Sequence, residues 1–368
     1  MYFYIVSLRG NEMFHTRKAR KIKMIYMDNA ASERPLPCAV RAFNKVVKKH
    51  YANPHSSHRS GMESKAILEQ ARKTIAECIN CRPNEVYFTS GATEACNWAI
   101  QIMAKHGTVT SYPTAHAAVT EKIDSYRFDI MARRTYKGFC YTLVNNETGA
   151  IEAKPITVDK DELVLCDATA AVGNIPVNFR SMGVDYMAFG AHKFGGIPGI
   201  GCLIVRESAP IEPFLYGGGE KYRAGTPCVA LAAAMAAALK YREKTKYRRM
   251  NKLKAMRKIF LTDRSLQKVM SYYDFTNQAP NILSLTFDGV DGSALVAMMS
   301  SKFGTMISTG AACNSGEHAP SKVLLAHGYT EGEAKSTVRL SISEHTTKRE
   351  CRKVVKQLAY CVRHLRNF

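Results

Sequence analysis

Val184-Asp185-Tyr186-Met187-Ala188-Phe189-Gly190-Ala191-His192-Lys193-Phe194-Gly195-Gly196 is the stretch on which the fold turns. An apolar run reads as a buried strand, and small residues end it before a His-Lys pair and two glycines. A lysine just after such a strand sits where desolvation favours a neutral, nucleophilic amine, which suits Schiff-base chemistry. By itself the pair reads better as a surface lysine on a loop, so the neighbouring stretches have to decide.

Upstream, Leu163-Val164-Leu165-Cys166-Asp167-Ala168-Thr169-Ala170 is a second short apolar strand, ending in an acid. An aspartate beside a pyridinium nitrogen keeps that nitrogen protonated, so the ring can act as an electron sink. One connection separates Asp167 from Lys193, which predicts two parallel strands opening on the same sheet edge, where ligands bind. Tyr87-Phe88-Thr89-Ser90-Gly91-Ala92-Thr93-Glu94 runs from a strand into a helix, and its small and hydroxyl residues fit a phosphate at the helix N-terminus.

Eight stretches in order carry a resemblance to the group I cysteine desulfurases of the pyridoxal-phosphate-dependent class V aminotransferase family. They are Tyr26-Met27-Asp28-Asn29-Ala30-Ala31, Asn53-Pro54-His55-Ser56-Ser57-His58, Thr89 to Glu94, Val144-Asn145-Asn146-Glu147-Thr148-Gly149, Asp167-Ala168-Thr169, His192-Lys193, Arg223-Ala224-Gly225-Thr226 and Ser308-Thr309-Gly310-Ala311-Ala312-Cys313-Asn314-Ser315. Together they span roughly residues 24 to 355.

The resemblance implies an α/β chain of the fold type I transferases. It implies a large domain built on a mostly parallel seven-stranded sheet flanked by helices, and a small α+β domain. We place a basic leader at 1–23, the large domain at 24–258 and the small domain at 259–368, with the first residues after Met24 packing with the small domain. The cofactor implied is pyridoxal 5'-phosphate. Lys193 holds it covalently, Asp167 meets its ring nitrogen, His116 stacks on the ring and Asn146 bonds the ring oxygen. Ala92, Thr93 and His192 form the phosphate end, and Thr226 reaches the partner's phosphate in a homodimer. Arg339, with Asn146 and Ala30, receives the substrate. Catalysis falls to Lys193, His116 and Cys313, the last carrying the persulfide. The activity implied converts L-cysteine to L-alanine and passes the sulfur to an acceptor protein or thiolation enzyme, in iron–sulfur cluster assembly, tRNA thiolation or DNA phosphorothioation.

Two positions depart from the family pattern. Ala170 stands where a cofactor-binding Gln is usual, and Gly190 where a phosphate-binding Ser is usual. Losing two such contacts, each worth about 0.5–1.5 kcal/mol net, predicts weaker cofactor affinity. From His116 to Asn146 there are 30 positions, which marks a compact, divergent member. The alternatives are another reaction of the same class, selenocysteine lysis or transamination, and a catalytically weakened scaffold that binds nucleic acid or a partner.

Composition frames these readings. Lys and Arg outnumber Asp and Glu by 52 to 31, giving +21, which favours acidic partners. The densest basic segment is 240–258, read either as a solvated helix face or as a nucleic-acid docking surface. No run of about 18 apolar residues exists, so no transmembrane helix is expected. Eleven cysteines, an odd number, fit reduced thiols in the cytoplasm. Cys78-Ile79-Asn80-Cys81 is a lone C-x-x-C and reads as a helix end. His55 and His58 look like metal ligands in isolation, but we assign no metal. A strand is expected at Tyr141–Val144 and a long helix or helix pair over 227–258.

Overall fold

The computed structural model describes residues 23–126, 136–155, 161–273, 275, 277–310 and 319–367. Residues 1–22 of the leader and Cys313 lie outside these residues. The first half of the chain runs β1 (Ile25–Tyr26), α1 (Pro37–Lys49), α2 (Arg59–Ile79), β2 (Val86–Thr89), α3 (Ala92–His106), β3 (Gly107–Ser111), α4 (Ala117–Asp124), β4 (Tyr136–Thr142), β5 (Leu163–Asp167), α5 (Phe179–Met182) and β6 (Tyr186–Gly190). It continues with β7 (Gly201–Val205), β8 (Leu215–Gly219), β9 (Arg223–Gly225), α6 (Val229–Thr262), α7 (Arg264–Gln267), β10 (Ile282–Thr286), α8 (Gly292–Phe303), β11 (Thr305–Met306), α9 (Lys322–Ala326), α10 (Glu331–Lys335), β12 (Thr337–Ser341) and α11 (Lys348–Arg366).

The main sheet has the order β2-β7-β6-β5-β4-β3. It therefore holds six strands among the described residues, where seven are expected. β7 alone runs antiparallel to its neighbours, so β2, β6, β5, β4 and β3 all end on one edge. Every residue of β5, β6 and β7 is buried, which is why these strands read as unbroken apolar runs rather than alternating ones. One apolar cluster fills the face under α1, α2 and the first half of α6. A second covers the other face around Trp98 on α3. Strand β7 can pass the start of α3 only because residue 201 is glycine: a Cβ there would lie 2.6 Å from the Gly91 carbonyl carbon.

A third cluster joins β10, β12, α8 and α11 to Leu253, Met256 and Phe260 of α6, and to Ile25 and Met27. β1 pairs with β11, which ties the start of the described chain to this unit. The segment read as a helix or helix pair is thus one 34-residue helix, α6, whose two ends sit in different cores. α8 begins with the Asp291 carboxylate accepting from Ala294 N–H, and it stops at Gly304 with φ +64°, a conformation that costs glycine little.

Two local expectations need correction, the end of one strand and the exposure of two arginines. The strand placed at Tyr141–Val144 is β4, ending at Thr142, and Val144 only bridges to Ile151. Arg242 and Arg249, counted in the basic surface segment, are 0% and 4% exposed. His58 is a helix cap, its Nδ1 accepting from Gly61 N–H at 3.3 Å. Cys78 and Cys81 bracket the left-handed cap Asn80, and burial pushes their thiols up to about 11 and about 12, so neither is a thiolate at neutral pH.

Candidate active site

The carboxyl ends of the parallel strands surround a cavity of about 500 Å³. β2 hands it Ser90, Gly91, Ala92 and Thr93, β4 hands it Thr142, Val144 and Asn146, and β5 gives Asp167, Thr169 and Ala170. His192 and Lys193 follow β6, His116 follows β3, and Arg339 comes from β12 of the other unit. Open α/β sheets bind ligands at this edge because the loops after neighbouring strands converge there.

Lys193 closes a short turn after β6, and its Nζ donates to the Ala30 carbonyl at 2.7 Å. Asp167 ends β5, and its Oδ1 accepts from Thr169 N–H at 3.0 Å. The carboxylate is 5% exposed and faces the cavity. His116 caps α4, its Nδ1 accepting from Ala118 N–H at 3.0 Å, which fixes the ring at the wall. With Nδ1 an acceptor, the ring proton of the neutral imidazole lies on Nε2. The His192 ring covers the spot left by Gly190: a Cβ at 190 would be 3.2 Å from its Cε1 and 3.4 Å from Ala92 N. Burial, then the charge of Lys193, pulls His192 down to about 4, so the ring is neutral at pH 7.

Arg339 is almost enclosed. It donates to Asp28 Oδ1 at 2.7 Å and to the Asn146 carbonyl at 2.9 Å, linking both units across the cavity. Asp28 lies in a stretch quoted for the resemblance, yet only the fold reveals its pairing with a residue 311 positions away. Thr142 is a further wall residue that the sequence did not single out.

Two expected residues stand apart. Ala30 does not line the cavity; Ala31 and Ser32 do, while the Ala30 carbonyl takes the lysine. Thr226 lines a separate hollow of about 190 Å³, which shares Ser90 and Gly199 with the main cavity. Beside it, Arg223 pairs with Glu94 of α3 at 2.7 Å. Burial alone would raise Glu94, but Arg223 and Ser90 hold it below its usual range.

The donors present fit pyridoxal phosphate. The Thr142 and Thr169 hydroxyls are buried at the cavity without hydrogen-bond partners, an arrangement that a polar ligand satisfies. The first turn of α3 meets the cavity at Gly91 without any side-chain cap, so its N–H groups are available to an anion. Thr169 stands next to Ala170, where the usual glutamine contact is missing.

Fold and cavity together define a pyridoxal-phosphate enzyme of fold type I. Residues 25–122 and 104–354 match the family described as aminotransferase class-V. An IscS-like cysteine desulfurase of Mycobacterium tuberculosis is 30% identical over 370 residues, covering 88% of this chain and 92% of that protein. The cysteine desulfurase IscS of Dictyoglomus turgidum is 29% identical, covering 93% and 95%. Among solved structures, a NifS-like protein superposes with a TM-score of 0.84 at 25% identity, covering 93% of this chain and all of that one. The chain belongs to the class V aminotransferase family, on its cysteine desulfurase branch. No helix among the described residues is long and apolar enough to cross a membrane.

Proposed function

We propose that the protein takes the sulfur of L-cysteine onto Cys313 as a persulfide, releases L-alanine, and passes the sulfur to an acceptor thiol. The observation that carries this is the convergence of Lys193, Asp167, His116, Asn146 and Arg339 on one cavity, drawn from five separate segments. Pyridoxal phosphate, when bound, supplies the electron sink. Lys193 anchors it, and Lys193 Nζ then holds and moves the substrate α-proton. Asp167 places its carboxylate at the ring end and the His116 ring packs on the flat face. Thr93, Ala92 N–H and His192 take the phosphate end. The Arg339 fork receives the substrate carboxylate, a bidentate task that lysine could not perform. Cys313 attacks as a thiolate. A sulfur–sulfur bond forms, the carbon–sulfur bond breaks with its electron pair going to carbon, and that carbon is protonated and leaves in alanine.

The direct check is intact mass after a brief exposure to L-cysteine. The expected result is one added sulfur atom on the wild-type chain, removed by a thiol reductant and absent from Cys313→Ser. Addition that persists in the variant would sink the assignment of Cys313. The acceptor is a thiol of a carrier protein or of a thiolation enzyme, the same persulfide serving iron–sulfur assembly, tRNA thiolation or DNA phosphorothioation. The segment 240–258 offers a nucleic acid less charge than its sequence suggests, since Arg242 and Arg249 are in the core. A cytoplasmic home agrees with the ten free cysteines among the described residues.

A homodimer belongs to the same proposal. Every residue of β8 is exposed, Tyr216 at 85%, and the ribbon it forms with β9 leads directly to Thr226. Light scattering is expected to give about twice the 40.9 kDa chain mass, and Tyr216→Asp to weaken the assembly. A wild-type monomer at assay concentrations would contradict the shared-site arrangement.

A further inference from the structure

The turn that carries Lys193 is held from outside at four successive carbonyls. Glu33 N–H donates to His192 O at 2.9 Å and Leu36 N–H to Gly195 O at 2.8 Å. Between them, Asn174 Nδ2 donates to Lys193 O at 3.2 Å and Arg242 Nε to Phe194 O at 2.9 Å. The two side-chain donors trace back to one helix. Asn174 is oriented by Arg249, which donates to its Oδ1 at 3.2 Å and also to Gly173 O. Arg242 and Arg249 are seven residues apart on α6, two turns of helix, and so share a face.

Charge makes this more than a set of backbone contacts. Arg242 is fully buried and pairs with Glu33, 5% exposed, at 2.6 Å and with Glu344 at 3.6 Å. With Arg249 the cluster has two positive and two negative groups. Burial, then Arg242, pulls Arg249 down to about 10 against the opposing pull of Glu33 and Glu344, and it stays charged at neutral pH. Glu33 follows Ala30, whose carbonyl takes the lysine amine. Glu344 follows β12, the strand of Arg339. Buried ion clusters add little net stability, because desolvation offsets their attraction, but they fix geometry and tolerate no missing member.

We propose that Arg242 is a positioning residue for Lys193, locking the lysine turn in register with the strand that presents Arg339. Arg249 and Asn174 extend its grip to the lysine carbonyl. This rests on the reading that Lys193 carries the cofactor. It predicts that loosening the cluster degrades how the cofactor is held and how the lysine titrates, more than how substrate binds.

The test uses Arg242→Met combined with Glu33→Gln, which keeps the cluster neutral, and separately Asn174→Ala, which removes no charge. The visible band of the bound cofactor is titrated with pH, cofactor release is timed by dialysis, and kcat and KM for L-cysteine are measured beside the melting temperature. The expected result for the double variant is cofactor release about tenfold faster or more, a shifted band midpoint, and kcat lowered with KM changed less than about threefold. Asn174→Ala moves the band in the same direction by less. It decides the matter if the double variant does not fold. A lowered melting temperature with wild-type band, release and kcat in Asn174→Ala would overturn the inference and leave a framework role only. A wild-type protein that shows no such band would overturn both this inference and the reading of Lys193 on which it rests.

Discussion

Lys193→Ala is expected to abolish covalent cofactor attachment and to lower turnover by about 10³-fold or more, since one amine serves as both anchor and proton carrier. The position makes the variant informative. Lys193 is half-buried at a turn whose carbonyls are held by other residues, and its Nζ donates to the Ala30 carbonyl at 2.7 Å. Removing the side chain therefore leaves the turn's framework in place. The checks are the visible band after gel filtration, reduction with borohydride followed by peptide mapping, and steady-state turnover. The expected variant elutes as the folded wild type does, without the band and without label on any peptide. A visible band in the variant whose reduction labels another lysine would contradict the assignment.

Asp167→Asn is the second large effect. The carboxylate is buried at the end of β5 with one oxygen satisfied by Thr169 N–H. Asparagine keeps the size and that acceptor but removes the charge. If the free oxygen stabilises a protonated ring nitrogen, kcat should fall about 10²–10³-fold, the usual cost of losing a preorganised electrostatic partner in a site that excludes water. Without cofactor the variant should be at least as stable as wild type, because a buried charge with few partners costs stability. Fluorescence-monitored unfolding of the cofactor-free proteins separates the two effects. Wild-type kcat in Asp167→Asn would remove the electron-sink role from this residue.

Much of this site was legible because β5 and β6 are buried on both faces. Burial turns each into an unbroken apolar run, and the polar residue that ends the run is the one delivered to the cavity. Asp167 ends such a run and Lys193 follows one closely, although the lysine needed the neighbouring stretches to tell it from a surface residue. The partners that hold them could not be read in this way. Asp28 and Arg339 meet from opposite ends of the chain. Asn174 looks like an ordinary turn residue until Arg249 is seen behind it.

Charge misled most where it was densest. A run of Lys and Arg reads as a solvated face, and along most of α6 that holds. Helical phase carried the missing signal: Leu239, Arg242, Arg249, Leu253, Met256 and Phe260 recur at heptad-like spacing and are all buried. Two arginines inside an otherwise apolar stripe mark a buried ionic cluster rather than a surface.

The measurement that tests the account most directly follows alanine and sulfur release from L-cysteine with added pyridoxal phosphate and a thiol reductant, for wild type and Cys313→Ser. The account predicts alanine and reducible sulfur in equal amounts from wild type, and loss of both in the variant. No turnover by wild type with saturating cofactor would contradict it and make the Ala170 and Gly190 departures decisive. Turnover that survives in the variant would point to another reaction of the same family.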